Sequence, residues 1–474
     1  MVARLTMLST TPEEILLAIA SHLRDPTDLM NLSYCCRQFH HCLLPAAYSS
    51  LRFNNHCIWK LSCLVHTLVR NASLSAAVRH LALGAEFTCS HGLEACDIKY
   101  EAAVIRPVLQ ATGYPEQELK EWESDLRNGQ REDPWLAIML PFLPNLQSLA
   151  LKFEDPWTRV PRLLERGLGV GRPSSSSLLS QVTEISTTIT GCELERDGVP
   201  TSDCLLFFSL PSLERLRGQG IIDCDEDDEP PPEAFPHSGL ATITDIDLRM
   251  SNSPSGMQKL VHACTKLESF YYEHEIAIGG CDEFNPAAFH ASLLRHKGTL
   301  QKLILVFNKQ DDFRPGEDGE NDFFGSLSPF SVLKEVRLRA PNLLGLHTAT
   351  QKPQPRLIDT LPSSLVRLTL EDVHQCDMRV LIVELEECIL NAPCRLPCIN
   401  TLVIEGHIHE YDAESANSTP PGHQPIPVIE RNIIKMTQKL RLLCQDISVN
   451  FRFLDREIES AIAYNREIEE EEVY

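Results

Sequence analysis

The stretch TPEEILLAIASHLRDPTDLMNLSYCCRQF, residues 11–39, decides how this chain begins. Thr11 is a good helix N-cap, Pro12 suits the first helical position and Glu14 completes a capping box, so a helix is predicted here. The segment DPTD at 25–28 repeats the start signal and predicts a second helix. Apolar residues recur at helical spacing in two stripes, formed by Ile15, Leu16, Ile19 and Leu23 and by Leu29, Leu32, Cys36 and Phe39. A module of about 40 residues cannot bury so much apolar surface alone, so part of it is expected to meet a partner.

This stretch resembles the F-box. The family pattern is Leu-Pro-x-Glu-Ile-Leu, then His-Leu, Asp-Leu, a spaced Leu, and Cys-Arg with an aromatic residue. The matching positions are Pro12, Glu14, Ile15, Leu16, His22, Leu23, Asp28, Leu29, Leu32, Cys36, Arg37 and Phe39. Thr11 departs from the pattern, because the family usually has Leu there. A generic helical hairpin is the alternative interpretation.

The F-box resemblance implies a partner, a Skp-type linker protein, and through it a cullin. It implies that linker binding is carried by Pro12, Ile15, Leu16, Ile19, Leu23, Leu29, Leu32 and Phe39. For Arg37 and Phe39 a purely structural role stays open.

The composition narrows the class of protein. The chain has 474 residues, enough for two or three domains, and a net charge of −23 that argues against a general nucleic-acid or anionic-membrane surface. The sequence contains no run of 18 apolar residues, so no transmembrane helix is predicted, and the N-terminus lacks a signal-peptide core. We therefore expect a cytoplasmic or nuclear location, in which the 17 cysteines remain thiols.

After residue 75 the sequence contains a repeated unit with the pattern apolar-x-x-apolar-x-apolar. It begins at Val78, Leu146, Val182, Leu213, Ile243, Leu267, Leu300, Leu333, Leu365 and Ile399, with Val182 starting a weaker copy. From Leu146 onward the starting points are 24 to 36 residues apart. The last two apolar positions alternate with polar ones, which predicts a short strand with one buried face. Self-similarity at this period predicts stacked units.

The repeat resembles a degenerate leucine-rich repeat, although the Asn or Cys step after the strand is mostly missing. The predicted fold class is α/β, with an N-terminal helical F-box followed by an irregular leucine-rich-repeat-like solenoid of a strand row plus helices. The competing fold is a closed eight-fold α/β barrel, whose strands are continuous apolar runs. Charged residues such as Asp245, Asp247, Glu335 and Arg367 interrupt the strands here, so the open solenoid is favoured.

The predicted domain organisation follows from these patterns and from shifts in composition. It runs as an F-box at 1–54, a linking helix at 55–75, a solenoid at 76–408 with insertions at 84–140, 172–177, 223–239 and 311–325, a loop at 409–427, and a C-terminal cap helix with an acidic tail at 428–474.

The sequence gives no sign of catalytic chemistry. It contains neither a phosphate-binding Gly loop nor a Gly-x-Ser-x-Gly elbow, and His274-Glu275 lacks the second His of a zinc protease. Cys388, Cys394 and Cys398 form a tight trio without a His at ligand spacing. We expect no enzyme activity, cofactor or metal. The predicted function is a substrate-recognition adaptor of a cullin-RING ubiquitin ligase, whose protein substrate is unknown; the alternative is a non-catalytic interaction scaffold outside ubiquitin transfer.

The substrate face is predicted from side-chain alternation along the strands. Its expected members are Asp247, Arg249, Tyr271, Arg337, Arg339, Arg367 and Glu371. Three arginines on neighbouring units suggest an acidic or phosphorylated substrate segment. The alternative is that they pair with Glu335 and Glu371 across neighbouring strands.

Overall fold

A computed structural model gives the fold. It describes residues 11–23, 25–53, 58–83, 98–111, 113–128, 132–153, 158–168, 178–189, 198–223, 241–275, 284–307, 322–345, 355–373, 377–406, 408–410 and 423–471. The chain divides into two compact units. One comprises Met1–Leu194, Val199–Gln219 and Asp227–Ile243, and the other Glu195–Gly198, Gly220–Glu226 and Thr244–Tyr474. Among the residues just named as described, no helix is long and apolar enough to cross a membrane.

The first unit opens with three helices rather than the two predicted: α1 (Glu13–Ala20), α2 (Pro26–Ser33) and α3 (Arg37–Tyr48). The second apolar stripe is split because the chain leaves the helix after Ser33. Cys36 then has an extended backbone and caps α3, with its Sγ accepting a hydrogen bond from the Phe39 N–H at 3.5 Å.

The two predicted helix starts had different outcomes. The DPTD signal is confirmed, because the Asp25 carboxylate accepts a hydrogen bond from the Thr27 N–H at 2.8 Å. The predicted capping box at Thr11 is wrong: Pro12 holds the N-cap position of α1 in an extended conformation and makes no side-chain cap bond. The Thr11 carbonyl instead accepts a hydrogen bond from the Gln38 side chain at 3.0 Å, which ties the entry of α1 to α3.

A row of five parallel strands follows in the first unit. In spatial and chain order these are β1 (Ser50–Phe53), β2 (His80–Leu83), β3 (Ser148–Phe153), β4 (Glu184–Ile189) and β5 (Arg215–Gln219). Strands β2 to β5 lie where the repeat predicts them. Strand β1 was missed, although Tyr48, Leu51 and Phe53 have the spacing of the repeat.

Helices accompany this row. They are α4 (Ile58–Arg70), α5 (Ala72–Ala77), α6 (Ala102–Ala111), α7 (Glu116–Asn128), α8 (Asp133–Met139), α9 (Arg159–Leu168) and α10 (Thr201–Leu205). The described part of the 84–140 insertion is therefore helical, while residues 84–97 lie outside the described residues. It packs firmly: buried Asp133 accepts backbone N–H bonds at the start of α9, and Arg159 pairs with Asp125 at 2.6 Å.

The second unit holds seven parallel strands. In spatial and chain order these are β6 (Asp245–Ser251), β7 (Ser269–His274), β8 (Lys302–Phe307), β9 (Glu335–Arg339), β10 (Arg367–Val373), β11 (Thr401–Gly406) and β12 (Asn450–Leu454). Each of β6 to β11 coincides with a predicted unit. Among the described strands β12 pairs with β11 and not with β6, so the row is open, as the solenoid requires and a closed barrel does not.

The helices of the second unit are α11 (Gln258–Ala263), α12 (Pro286–Leu293), α13 (Ala340–Leu344), α14 (Leu357–Thr360), α15 (Met378–Leu390), α16 (Ala392–Arg395), α17 (Arg431–Met436), α18 (Gln438–Asp446) and α19 (Arg456–Glu471). The segment predicted as a C-terminal cap helix with an acidic tail thus contains three helices, the strand β12 and a two-residue strand, Val428–Ile429, that pairs with His409–Glu410. The predicted insertions at 172–177 and 224–239, most of 311–325, and the end of the tail at 472–474 lie outside the described residues.

The stacking repeats a simple local arrangement. The first apolar residue of each predicted unit except the last is buried two residues before its strand, as at Leu300, Leu333 and Leu365; Ile399 is half-buried. Backbone bonds then link equivalent positions from unit to unit: the Lys334 N–H donates to the Gln301 carbonyl and the Val366 N–H to the Lys334 carbonyl, each at 2.8 Å. In β6, β7 and β9 buried inward positions alternate with partly exposed outward ones, whereas along β8, β10 and β11 most positions on both faces are buried.

Candidate functional site

The first candidate surface lies on the helical module, whose core is made by one side of each helix. Leu16 (3% exposed), Ala20, Phe39 (4%) and Leu43 (0%) form this core, with Leu29 and Leu32 half-buried against it. Of the residues predicted to bind the linker protein, Leu16 and Phe39 are therefore inside the module. Their role in the structure is to hold α1 against α3.

The outer side of α1 is apolar. Pro12, Ile15 and Ile19 lie on one flank at spacings of three and four residues, and Ile15 and Ile19 are 52% and 45% exposed. We call these three residues the α1 stripe. Leu17, 40% exposed, lies on the opposite flank. Exposed aliphatic side chains in a row on a short surface helix are typical of a protein contact.

The other exposed apolar side chain of the module was missed. Tyr34 follows α2 and is 68% exposed. An aromatic residue between two helix signals was the only sequence feature that marked it. Leu23, which was predicted for linker binding, is half-buried after α1.

The second candidate surface is the outward face of the strands in the second unit. At one end, Arg249 pairs with Asp247 at 3.1 Å and stacks over the ring of Tyr271, with 5.2 Å between guanidinium carbon and ring centroid. These three predicted residues do come together. The pKa of the Tyr271 phenol is raised by burial and then by Glu273, so the hydroxyl stays protonated at neutral pH.

Further along the face, Arg337 is held by two carboxylates. It pairs with Glu371, which is fully buried, and with Glu405 at 3.0 Å. The predicted alternative, pairing across neighbouring strands, is confirmed for Arg337 and Glu371, because their strands are adjacent.

Arg339 does not lie on the exposed face. It is 3% exposed, pairs with Asp372 at 2.8 Å and stacks on Phe307 at 4.2 Å. A bulge between Leu370 and Val373 places Asp372 in a left-handed conformation with φ 58°. That bulge belongs to the neighbouring strand, and its Asp372 carboxylate is the partner of Arg339. The predicted patch of three exposed arginines is therefore wrong.

Arg367 remains exposed and lines a hollow in the strand face. The hollow has a volume of about 220 Å³ and is lined by Ile304, Glu335, Arg337, Arg367, Thr369, Thr401, Val403, Glu405, Asn450, Arg452 and Leu454. We call it the arginine hollow. Arg452, on the unpredicted strand β12, is its second exposed cation.

A buried polar group lies beneath this face at the end of β7. The Tyr272 hydroxyl donates to the Ser251 carbonyl at 2.9 Å and so accepts from His274 Nδ1 at 3.0 Å. His274 Nε2 is buried without a hydrogen-bond partner. Burial, and then the charge of Arg339, lower the pKa of His274 to about 3. His274 is thus a neutral core residue.

The cysteine trio offers no metal site. Cys388 is buried in α15, whereas Cys394 and Cys398 are exposed. Across the described ranges, no group of three His, Cys, Asp or Glu side chains could hold a metal ion.

Together, a three-helix module and open rows of parallel strands backed by helices define a class: a small helical domain followed by a leucine-rich-repeat-type solenoid. Comparison with protein families agrees. A model of the leucine-rich repeat domain matches residues 197–448, more than half of the chain, and the chain belongs to this family. The COS11 F-box domain matches residues 8–85. No curated protein matches the chain.

Both resemblances seen in the sequence are confirmed by these matches. The F-box match extends past the predicted boundary at 54 and includes α4, α5 and β2. The repeat match begins at 197 and ends at 448, just before β12. The units beginning at Val78, Leu146 and Val182 lie outside it, although they form strands of the same kind.

Proposed function

We propose that this protein is a substrate-recognition adaptor of a cullin-RING ubiquitin ligase. In this proposal the F-box docks on a Skp-type linker protein, and the strand faces of the repeats bind a protein substrate. The chain itself performs no chemistry; its catalytic effect is to bring the substrate close to the ubiquitin-transfer machinery. The expected cytoplasmic or nuclear location belongs to the same proposal.

The observation that carries the proposal is that α1 has one side buried in the module core and an apolar flank exposed to solvent. Leu16 and Ala20 anchor the helix in the module core, while Ile15 and Ile19 on the adjoining flank stay about half exposed. Leaving aliphatic side chains in water costs free energy that a partner recovers on binding. A helix so anchored presents a preformed apolar surface, as a constitutive adaptor needs.

The test is reconstitution from full-length purified components. The chain is mixed with linker protein and cullin–RING, and the complex is analysed by size-exclusion chromatography. In parallel, tagged chain is recovered from cells with the proteasome blocked, and ubiquitin on the proteins it captures is quantified. A complex containing all components, with ubiquitinated captured proteins, supports the proposal. Linker binding without cullin would support the scaffold alternative. Absence of linker binding would reject the ligase-adaptor proposal and leave a scaffold that acts through the repeats alone.

A further inference from the structure

The arginine hollow has the features of a recognition site for one charged group. We propose that it binds an oxyanion, either a carboxylate or a phosphate ester, carried by a side chain of an extended substrate segment. This inference rests on the proposed function, since it names the chemistry that the substrate face would recognise.

The strand register places two cations on diagonally opposite sides of the hollow. Arg367 on β10 lies beside Thr401 on β11, which lies beside Asn450 on β12. Arg452 is two residues further along β12, so its Cα is about 12 Å from that of Arg367, from the spacings of strands and residues in a sheet. Two extended arginine side chains can converge over that span. Thr401 and Val403 form the floor between them.

Charge pairing separates these two arginines from the other described arginines on the strands of the second unit. Arg249 pairs with Asp247, Arg339 with Asp372, and Arg337 with two buried carboxylates. Arg367 and Arg452 have no ion-pair partner in the part of the chain that the structure describes. Arg452 only donates a hydrogen bond from Nε to Asn450 Oδ1 at 3.3 Å. In a chain with net charge −23, two unpaired guanidinium groups around one hollow point to an anionic ligand.

Carboxylates flank the hollow, but within the described residues none of them forms an ion pair with Arg367 or Arg452. Glu371 and Glu405 lie one outward position beyond Thr369 and Val403 on their strands, with Glu405 on the strand next to that of Arg452, and Arg337 pairs with both. Glu335 is the cross-strand neighbour of Arg367 on β9, and its carboxylate is 3.9 Å from the Lys302 ammonium group. Arg337 is thereby a fixed part of the rim, while Arg367 and Arg452 keep their donors available.

The first test observes the guanidinium groups directly in the full chain. Arginine side chains are labelled with ¹⁵N, and the Nε–Hε signals of Arg367 and Arg452 are assigned by their loss in Arg367→Lys and Arg452→Lys. Inorganic phosphate and, separately, acetate are titrated. We expect both signals to move with one shared dissociation constant, and the signal of Arg249 to move only at concentrations at least tenfold higher. Equal movement of all exposed arginines would reject the site.

The second test asks for the peptide. A library of degenerate nonamers with Glu, phosphoserine, Gln or Lys fixed at the centre is assayed for binding to wild type, Arg367→Gln/Arg452→Gln and the matched control Arg249→Gln. We expect a preference for Glu or phosphoserine, with the stronger of the two identifying the source of the oxyanion. The double variant should weaken that binding at least tenfold, while the control retains it. Phosphate binding without any peptide preference would mean an adventitious ion only, and would overturn the inference.

These two tests of the arginine hollow can fail or succeed independently of the test of the proposed function. Linker and cullin binding should be the same for the double variant and wild type, because the hollow lies in the second unit and the α1 stripe in the first. A ligase complex that forms with an anion-indifferent hollow would reject only this inference. Anion recognition without a ligase complex would reject only the proposed function.

Discussion

The α1 stripe can be tested by removing aliphatic area without disturbing the module. The double variant Ile15→Ala/Ile19→Ala shortens two side chains that are 52% and 45% exposed. Neither belongs to the core formed by Leu16, Ala20, Phe39 and Leu43. Because alanine has the highest helix propensity and both sites are on the surface, we expect the thermal stability to stay the same or to rise slightly.

The expected loss of affinity follows from the exposed fraction. Full burial of an isoleucine side chain contributes about 1.5–3 kcal/mol, and roughly half of each side chain is available to a partner, so the pair contributes about 1.5–3 kcal/mol to binding. This corresponds to a dissociation constant about 10- to 150-fold weaker. Titration calorimetry with purified linker protein measures it.

Leu17 supplies the matched control. It is 40% exposed on the same helix but on the opposite flank, so Leu17→Ala should change the dissociation constant by less than about twofold. Equal losses in the control and the double variant would show that general apolarity of α1, rather than the stripe, controls binding. An unchanged dissociation constant in the double variant would refute the reasoning.

Three further predictions concern the second unit. The folded state holds His274 neutral with a pKa of about 3, below the ordinary value of 6.5, so its contribution to the unfolding free energy is fully present above pH 6.5 and falls by about 1.4 kcal/mol per pH unit as the pH drops towards 3. Urea titrations from pH 7 to 4.5 should show a shallower fall in His274→Phe than in wild type. The variant Gly406→Ala should lower the free energy of unfolding by about 1–3 kcal/mol, because its Cβ would lie 2.2 Å from the Val373 carbonyl oxygen. The control is Gly298→Ala, where the Cβ meets nothing within 4 Å, and equal losses in the two variants would contradict this account. The variant Arg339→Met should lower the free energy of unfolding by about 3–5 kcal/mol, because it leaves buried Asp372 without its cation. The double variant Arg339→Met/Asp372→Asn should recover most of this stability in thermal unfolding, and no recovery would show that packing of Arg339 on Phe307 dominates.

The strand row could be predicted from sequence because its signal is local. Two apolar residues on one side of a strand, preceded by a third, recur in eight of the ten units, and all ten predicted positions carry a strand; Thr187 and Gly218 replace the last apolar residue in the other two. The two missed strands end their respective rows. Strand β1 follows α3 directly, within the helical module, and β12 follows Ser448 where the repeat would have an apolar residue. End units need no neighbour on one side, so their pattern is less constrained.

The solvent accessibility of the strand side chains was harder to predict than the direction in which they point. Side-chain alternation correctly placed Arg337 and Glu371 outward, but it carries no information on what lies beside each residue in space. Arg339 follows the same alternation and is nevertheless buried, because Phe307 and Asp372 on the two neighbouring strands enclose it. The bulge that accompanies Asp372 depends on a positive φ at a non-glycine residue, which the strand pattern does not reveal.

The ion pairs of these arginines also explain why the candidate recognition site, the arginine hollow, differs from the predicted patch of three arginines. Three arginines at outward positions of two adjacent units suggested a basic patch, yet two of them are committed to carboxylates that the fold buries. Buried carboxylates hold their partners tightly, because an unpaired charge there would be costly. Arg367 and Arg452 lie beside Thr401 and Val403 on β11 and make no ion pair among the described residues, even though Glu335 is the cross-strand neighbour of Arg367. Our proposal for the anionic substrate group therefore depends on which arginines are paired, rather than on how many lie on the face.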